Sequence, residues 1–230
     1  MHSTERTVTC CFRLRERRFT SKDSQPKAKG LYMRVIAGEA RSLPLKAPQG
    51  PDTRPTTDRI KETLFNMLQP YLPCSVFIDL CSGSGGIGIE AISRGARHAY
   101  FAENAREAAK CIADNLHFTK FEERATLLRQ DAVSALMSIH EKHADIIFMD
   151  PPYQAGLEEP VLSALARMPY VDEDTLVIIE AALDRDFSFA GEHGFLVARE
   201  KRYKTNKHVF LKKTEKGNLP YEGCDLSGKL

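Results

Sequence analysis

The chain has 230 residues, enough for one substantial domain with small additions, and 42% of them are hydrophobic, which is enough to fill a core. Its formal net charge of +2 is nearly balanced, so any surface that binds nucleic acid has to be a local basic patch. No apolar run approaches the ~20 residues that span a bilayer, no signal-peptide pattern is present, and the six cysteines lack the spacing of a zinc site; we therefore expect a soluble, cytoplasmic protein without a metal.

The first 32 residues differ from the rest of the chain. They are rich in Arg, Lys, Ser and Thr, cluster arginines between Arg13 and Arg18, and show little apolar periodicity. This composition predicts a disordered basic arm, or sequence upstream of a true start at Met33. At the other end, segment 214–230 is polar and contains glycine, and we expect a flexible tail there.

Residues 33–70 are expected to form a small hairpin followed by a helix. The strand-like run Arg34–Gly38 and a second short apolar stretch suggest the hairpin. Behind it, apolar residues recur with helical spacing from Ile60 to Leu68, and Pro70 ends the pattern.

Between residues 71 and 213, short apolar runs alternate with helical patterns, which predicts an α/β fold with a mostly parallel sheet covered on both faces. The predicted strands are Val76–Leu80, His98–Glu103, Ala125–Leu128, Asp145–Met149, Leu176–Glu180, Phe195–Glu200 and His208–Leu211. The predicted helices lie near Gly88–Ser93, Ala105–Phe118, Ala132–His140 and Glu158–Ala166. The last two strands leave no room for a helix between them, so the seven-stranded sheet should end in an antiparallel hairpin. That ending distinguishes a methyltransferase-type sheet from an ordinary dinucleotide-binding sheet.

A glycine-rich loop follows the first strand of this sheet. Gly83, Gly85 and Gly88 match G-x-G-x-x-G between a strand and a helix, and Glu103 closes the next strand, where a carboxylate can accept hydrogen bonds from ribose hydroxyls. Nicotinamide, flavin and S-adenosylmethionine sites share these features. Asp79 favours S-adenosylmethionine among these ligands. A carboxylate just before the loop can attract the ammonium group of that ligand, whereas it would not attract the negatively charged pyrophosphate of a dinucleotide.

Asp131 follows the third strand of the sheet, where it can accept from an adenine amino group or cap the next helix, and the two roles can coexist. The predicted cofactor-binding residues are Asp79, Gly83, Ser84, Gly85, Glu103, Asn104, Asp131, Ala132 and Asp150.

The most specific signal is Asp150-Pro151-Pro152-Tyr153, at the end of the fourth strand of the sheet. An exocyclic base amine is a poor nucleophile because its lone pair is delocalised into the ring. The Asp150 carboxylate and the Pro151 carbonyl can grip both of its N–H groups and stabilise the positive charge that grows on it. Tyr153 offers a flat face on which an extruded base can stack. The predicted catalytic residues are Asp150, Pro151, Pro152 and Tyr153.

From Met33 to Lys213 the chain resembles the RsmD family, bacterial methyltransferases that modify the N2 amine of a guanine in small-subunit ribosomal RNA. The resemblance is carried by Arg34–Gly38, Arg54–Arg59, Glu62–Asn66, Asp79–Gly88, Glu90–Ala91, Ser93–Ala96, Asp150–Tyr153 and Glu200–Tyr203. It implies a Rossmann-like class I methyltransferase domain with a small N-terminal β-hairpin, and S-adenosylmethionine as cofactor. It also implies 16S rRNA in a partly assembled small subunit as the partner, and we expect the enzyme to act as a monomer.

Basic residues should provide the contacts with this substrate. One cluster comprises Arg34, Arg41, Lys46, Arg54, Arg59 and Lys61, and a second comprises Lys201, Arg202, Lys204 and Lys207. The predicted substrate-binding residues are Arg54, Thr57, Arg59, Tyr153, Lys201 and Arg202.

Three other functions remain open on the sequence. DNA adenine-N6 methylation uses the same Asp-Pro-Pro-Tyr chemistry, although no target-recognition domain is evident. A nicotinamide oxidoreductase would leave that motif and the terminal hairpin unexplained. A non-catalytic RNA-binding or assembly factor would keep the fold without the reaction.

Overall fold

The computed structural model describes residues 33–48, 58–152 and 155–214. The predictions for segments 1–32 and 215–230, and those for Arg54, Thr57 and Tyr153, lie outside these residues. Within the described ranges, no helix is long and apolar enough to cross a membrane.

Two sheets are present in the described part of the chain. The small one pairs β1 (Met33–Arg34) with β2 (Pro44–Leu45) in antiparallel fashion. The large one contains β3 (Val76–Leu80), β4 (His98–Ala102), β5 (Ala125–Leu128), β6 (Ile146–Met149), β7 (Leu176–Ala181), β8 (Phe195–Arg202) and β9 (Lys207–Lys213). Its strand order is β5-β4-β3-β6-β7-β9-β8, and β9 and β8 are antiparallel to their neighbours. The predicted α/β fold with seven strands and an antiparallel end is thereby confirmed.

Five α-helices and three short 3-10 helices connect the strands in the described ranges. The α-helices are α1 (Asp58–Leu68), α2 (Gly86–Ser93), α3 (Arg106–Thr119), α4 (Ala132–Met137) and α5 (Glu158–Leu165). The 3-10 helices are Gln69–Tyr71, Glu122–Arg124 and Ser188–His193.

The topology fixes where a ligand can bind. From β3 the chain proceeds outward through β4 to β5, then returns to the other side of β3 to form β6 and β7. The strand order therefore reverses between β3 and β6. In open parallel sheets, ligands bind beyond the carboxyl ends of the strands at such a switch point.

Each face of the sheet carries its own apolar core. On one face, α4 and α5 pack through residues such as Leu136 and Leu165. On the other, α1, α2 and α3 pack through residues such as Phe65, Ile92 and Leu116. We call the second surface the α1 face. Burial of these side chains supplies the main driving force that holds the helices against the sheet.

The N-terminal hairpin is tied to α2 by a buried carboxylate. Glu90 is fully buried and accepts hydrogen bonds from the N–H groups of Ile36 and Ala37 at 2.7 and 3.0 Å. It also pairs with Arg94 at 2.7 Å and with Lys61 at 3.3 Å. Burial lowers the pKa of Lys61, although Glu90 acts in the opposite direction. The prediction that Lys61 belongs to a basic surface is wrong, because its ammonium lies inside this cluster.

The predicted first strand is shorter than the apolar run suggested. It ends at Arg34, and Gly38 turns the chain with a φ of +84°. A Cβ at Gly38 would lie 1.9 Å from the carbonyl oxygen of Ser93, so only glycine lets the backbone approach α2 this closely. Tertiary contact with α2, rather than strand pairing, therefore determines the conformation of this segment.

Other boundaries differ by a few residues. Helix α4 ends at Met137 instead of His140, and the apolar pattern continues only because Ile139 is still buried in the core beyond the helix. Strand β8 reaches Arg202, with an irregularity in the pairing between Val197 and Arg199.

Candidate active site

Three carboxylates lie on one face at the carboxyl edge of the sheet. Asp79, Asp150 and Glu180 each follow by two positions a residue whose side chain packs on the α1 face: Phe77, Phe148 and Ile178. Alternate residues of a strand share a face, so the three carboxyl groups point to that same side. Asp79 and Glu180 lie on β3 and β7, and Asp150 directly follows β6, the strand between them; we call these three residues the acidic row.

The glycine loop lies at the β3 end of this row. Gly83 and Gly85 have φ values of +56° and +75°, which L side chains rarely adopt, and Gly85 immediately precedes α2. Gly88 has a different role: a Cβ there would lie 2.3 Å from the ring of Phe101 on β4. The first two glycines shape the turn, and the third lets α2 pack closely on the sheet.

Asp79 is almost fully buried beneath the loop. Its carboxylate accepts a hydrogen bond from the N–H of Gly88 at 2.9 Å. The pKa of Asp79 is raised to about 7: burial is the main cause, the charge of Glu103 adds to it, and the hydrogen bond from the Gly88 N–H opposes it. Such a carboxylate is matched by a cationic ligand group and opposed by an anionic one.

Glu103 joins the loop to β4. It follows the strand directly and accepts from the N–H of Gly83 and from that of Ala105, both at 2.9 Å. Its side chain is half-buried, and Asn104 beside it is exposed. Glu103 therefore holds the loop in position in addition to any contact it makes with a ligand.

Asp131 caps helix α4. Its carboxylate accepts from the N–H of Ser134 at 3.0 Å and from the Ser134 hydroxyl at 2.6 Å. These two bonds lower the pKa of Asp131. The capping role is confirmed, and the predicted contact with an adenine amino group remains a prediction. Asp131 follows β5, two strands from β3, or about 10 Å across the sheet.

Asp150 begins the turn that follows β6. Burial raises its pKa well above the ordinary range, and the negative charges of Glu180 and Asp79 add to that effect. Pro151 is buried and Pro152 is exposed, and the Pro152 carbonyl accepts from the N–H of Ala155 at 2.8 Å. The turn places Asp150 beside the glycine loop, across the point where the strand order reverses.

A polar cluster at the β7 end of the row was not predicted. Glu180 accepts from the ring of His208 at 3.1 Å and from the side-chain amide of Asn206. His208 is fully buried, and its other ring nitrogen lies 3.2 Å from the hydroxyl of Tyr203. Aligning strand ends by register would have found the pair, because Glu180 and His208 are direct partners on β7 and β9.

The proposed substrate contacts are only partly assembled in the described residues. Arg59 is exposed on the first turn of α1, and Arg202 is exposed and donates to the carbonyl of Leu183 at 3.1 Å. Lys201 is half-buried beside it. The prediction that Lys207 belongs to this surface is wrong: its side chain is buried, and its ammonium lies 2.6 Å from Glu200.

No group of three or more His, Cys, Asp and Glu residues within the described ranges is arranged to hold a metal ion. The thiol of Cys81, in the glycine loop, has its pKa raised to about 12 by burial and by nearby carboxylates. The site therefore offers acceptors and backbone N–H groups rather than a thiolate nucleophile.

Comparison with known proteins covers almost all of the described chain. The family described as Conserved hypothetical protein 95 matches residues 33–212. The chain is 37% identical over 164 residues to "Ribosomal RNA small subunit methyltransferase D" of Haemophilus influenzae, covering 70% of this chain and 83% of that protein. It is 34% identical over 152 residues to the protein of the same name from Escherichia coli K12, covering 66% of this chain and 76% of that one.

Solved structures agree with these matches. The structure of yhhF from Escherichia coli aligns with a TM-score of 0.67 and 29% sequence identity, covering 80% of this chain and 98% of that chain. The structure of HI0767 from Haemophilus influenzae aligns with a TM-score of 0.66 and 29% sequence identity, covering 80% of this chain and 99% of that chain. The sheet with its antiparallel end is that of class I methyltransferases, and the matched range contains the whole acidic row.

Proposed function

The chain belongs to the RsmD family of methyltransferases, and from this premise we propose that it transfers a methyl group from S-adenosylmethionine to the exocyclic N2 amine of a guanine in 16S ribosomal RNA. Two relatives bear names that specify ribosomal RNA of the small subunit as the substrate. The observation that carries the proposal is the position of Asp150 and Pro151 at the end of β6, directly across the switch point from Asp79.

The residues around β3, β4 and β5 fit S-adenosylmethionine. Asp79 is a carboxylate whose pKa is raised by burial, and the ligand's ammonium would supply a compensating positive charge. Glu103 and Asp131 lie at the ends of the next two strands outward, in the order expected for ribose and adenine contacts. Gly83, Ser84, Gly85, Asn104 and Ala132 would complete this site. When bound, S-adenosylmethionine supplies an activated methyl group on a sulfonium.

Asp150 and the Pro151 carbonyl would act on the target amine. Each can accept one N–H of the NH2 group, which orients the nitrogen toward the donor and stabilises the charge that grows as the N–C bond forms. In its ionised form Asp150 could also receive the proton that the methylated amine must lose, and its raised pKa would make it a stronger base for that step. Tyr153 is proposed to stack on the base, and Pro152 to hold the turn through its bond with Ala155.

The remaining expectations are proposals of the same kind. Segment 71–213 would form the methyltransferase domain, and segment 33–70 an extension that helps to bind RNA together with Arg54, Thr57 and Arg59. Lys201 and Arg202, on the last hairpin, would contact phosphates from the other side. We further propose a cytoplasmic monomer that acts on a partly assembled small subunit.

Methyl transfer from labelled S-adenosylmethionine tests the proposal. The acceptors are small ribosomal subunits from cells in which this gene is disrupted and, for comparison, duplex DNA. Nucleoside mass analysis should find N2-methylguanosine in the ribosomal RNA and no N6-methyladenosine in the DNA. The opposite result would identify a DNA enzyme, and no transfer to either acceptor would favour a non-catalytic assembly factor.

Asp150→Ala provides the mechanistic arm of this experiment. We expect transfer to slow by about 10²-fold or more while S-adenosylmethionine still binds, because a transition-state partner is lost. Asp174→Asn, which changes an exposed carboxylate just before β7, is the matched control and should leave the rate unchanged. Near-normal turnover by Asp150→Ala would remove Asp150 from the mechanism.

A further inference from the structure

The third member of the acidic row, Glu180, has no part in the mechanism described above. It is 5% exposed and lies in the cluster with His208 and Asn206, whose side chains donate to its two different carboxylate oxygens. A donor on each oxygen fixes the orientation of the carboxylate plane. The side chain of Glu180 is therefore fixed in one orientation, unlike that of an ordinary surface glutamate.

Glu180 and Asp150 are neighbours across the sheet. The pairing of β6 with β7 ends at Met149 and Ile179, so the next residue on each strand is Asp150 and Glu180 respectively. Parallel strands lie about 4.8 Å apart, and the two carboxyl groups share the α1 face. Their proximity is also felt electrostatically, since the charge of Glu180 raises the pKa of Asp150.

Around Asp150, Glu180 and Asn206, which form one corner of the site, hydrogen-bond acceptors outnumber hydrogen-bond donors. Besides the two carboxylates, the side-chain oxygen of Asn206 is buried, and no described residue donates to it. An unsatisfied buried acceptor is costly, so the corner favours a ligand that presents several adjacent N–H groups. A ligand edge with its own acceptors would be repelled.

Guanine and adenine differ in this respect. Guanine has two adjacent donors on one edge, the N2 amine and the ring N1–H. The N6 amine of adenine is flanked by ring nitrogens that carry lone pairs and no hydrogen. A row of neighbouring acceptors therefore matches the guanine edge and opposes the adenine edge.

We propose that Glu180 is the specificity-determining residue that accepts the N1–H of the target guanine while Asp150 and the Pro151 carbonyl hold its N2 amine. This inference rests on the proposed function and deepens it, because it names the contact that selects guanine. His208 and Asn206 act as positioning residues that orient Glu180. Tyr203 extends the cluster by its hydroxyl contact with His208.

The test compares two bases that carry the same 2-amino group. 2,6-Diaminopurine keeps that amine, but its ring N1 has a lone pair in place of the hydrogen. Small subunits are reconstituted with 16S RNA that carries either guanine or 2,6-diaminopurine at the methylated position, which nucleoside mass mapping locates first. The rate of N2 methylation is measured with the unaltered protein, with Glu180→Gln and with a control, Glu141→Gln. The control changes a partly buried glutamate that bonds Tyr100 and pairs with Arg97, away from the acidic row.

The unaltered protein should methylate guanine about 10- to 100-fold faster than 2,6-diaminopurine, the ratio expected when one buried hydrogen bond is replaced by a repulsion. Glu180→Gln can offer either an oxygen or an N–H, so that ratio should largely disappear. Glu141→Gln should keep it. S-adenosylmethionine affinity and thermal melting of each variant show whether it is folded.

Equal rates on the two bases with the unaltered protein would overturn the inference, even if Glu180→Gln fails to fold. An unchanged ratio in a folded Glu180→Gln variant would overturn it as well. Failure of the unaltered protein to methylate guanine at N2 contradicts the proposed function itself, and the inference falls with it. The two failures are thus distinguishable.

Discussion

The raised pKa of Asp79 makes S-adenosylmethionine binding a proton-linked reaction. With a pKa of about 7, half of the Asp79 carboxyls are protonated at pH 7 in the ligand-free protein. A ligand ammonium favours the ionised form, so binding at pH 7 should release about half a proton per ligand. Between pH 7 and pH 6 the ionised fraction of Asp79 falls about fivefold, and the affinity should fall by about the same factor, or about 1 kcal/mol.

Calorimetry in buffers of different ionisation enthalpy measures both the affinity and the proton release. The ligand's own amino group, with an ordinary pKa near 8, stays largely protonated below pH 7. The fall in affinity below pH 7, which we call the acidic limb of the pH profile, therefore reflects a group of the protein. Asp79→Asn should abolish the limb and the proton release, and should weaken binding at pH 8 by about 10- to 100-fold through loss of a charged partner. Asp114→Asn, which changes an exposed aspartate with a lowered pKa, should leave the limb in place. A fall in affinity below pH 7 that persists in Asp79→Asn would assign it to another group, such as Asp150, and refute the reasoning.

Three further outcomes follow from the packing. Glu103→Ala should weaken S-adenosylmethionine affinity by about tenfold or more, because Gly83 loses its hydrogen-bond partner; unchanged affinity by calorimetry would contradict the assignment. Lys61→Met should destabilise the fold by about 3 kcal/mol and lower the melting temperature by roughly 6–12 °C, whereas the exposed Lys110→Met should not. Gly88→Ala should cost about 1–3 kcal/mol in denaturant unfolding because its methyl group meets Phe101, while Gly191→Ala, with open space around it, should be nearly neutral.

Local patterns were sufficient to place the strands of the large sheet. Val76–Leu80 and Ala125–Leu128 were predicted to the residue because each is a short apolar run bounded by polar or turn residues. The antiparallel end followed from chain length alone, since no helix fits between β8 and β9. The bounds of short elements were predicted less accurately. Strand β1 is only two residues long, and the segment after it is shaped by hydrogen bonds to Glu90 and by contact with Ser93.

Charge was harder to assign from sequence than apolarity. Lys61 and Lys207 read as members of basic clusters, yet both are buried against carboxylates. A lysine side chain is long enough to reach solvent or an internal partner equally well, and only the position of Glu90 or Glu200 in space decides between them. The role of His208 could not be predicted for the same reason, because its partners Glu180 and Tyr203 lie on another strand and across a turn.

The sequence by itself determined which residues are chemically able to act near the ends of the strands: Asp79 lies in the first apolar run of the large sheet, and Glu103, Asp131 and Asp150 follow the next three predicted strands. What the tertiary structure decided is which of them share a face and which neighbours tune them. Strand order and register bring Glu180 beside Asp150 although 30 positions separate them in the chain. Such proximity depends on pairing between distant segments, and no local preference of the chain encodes it.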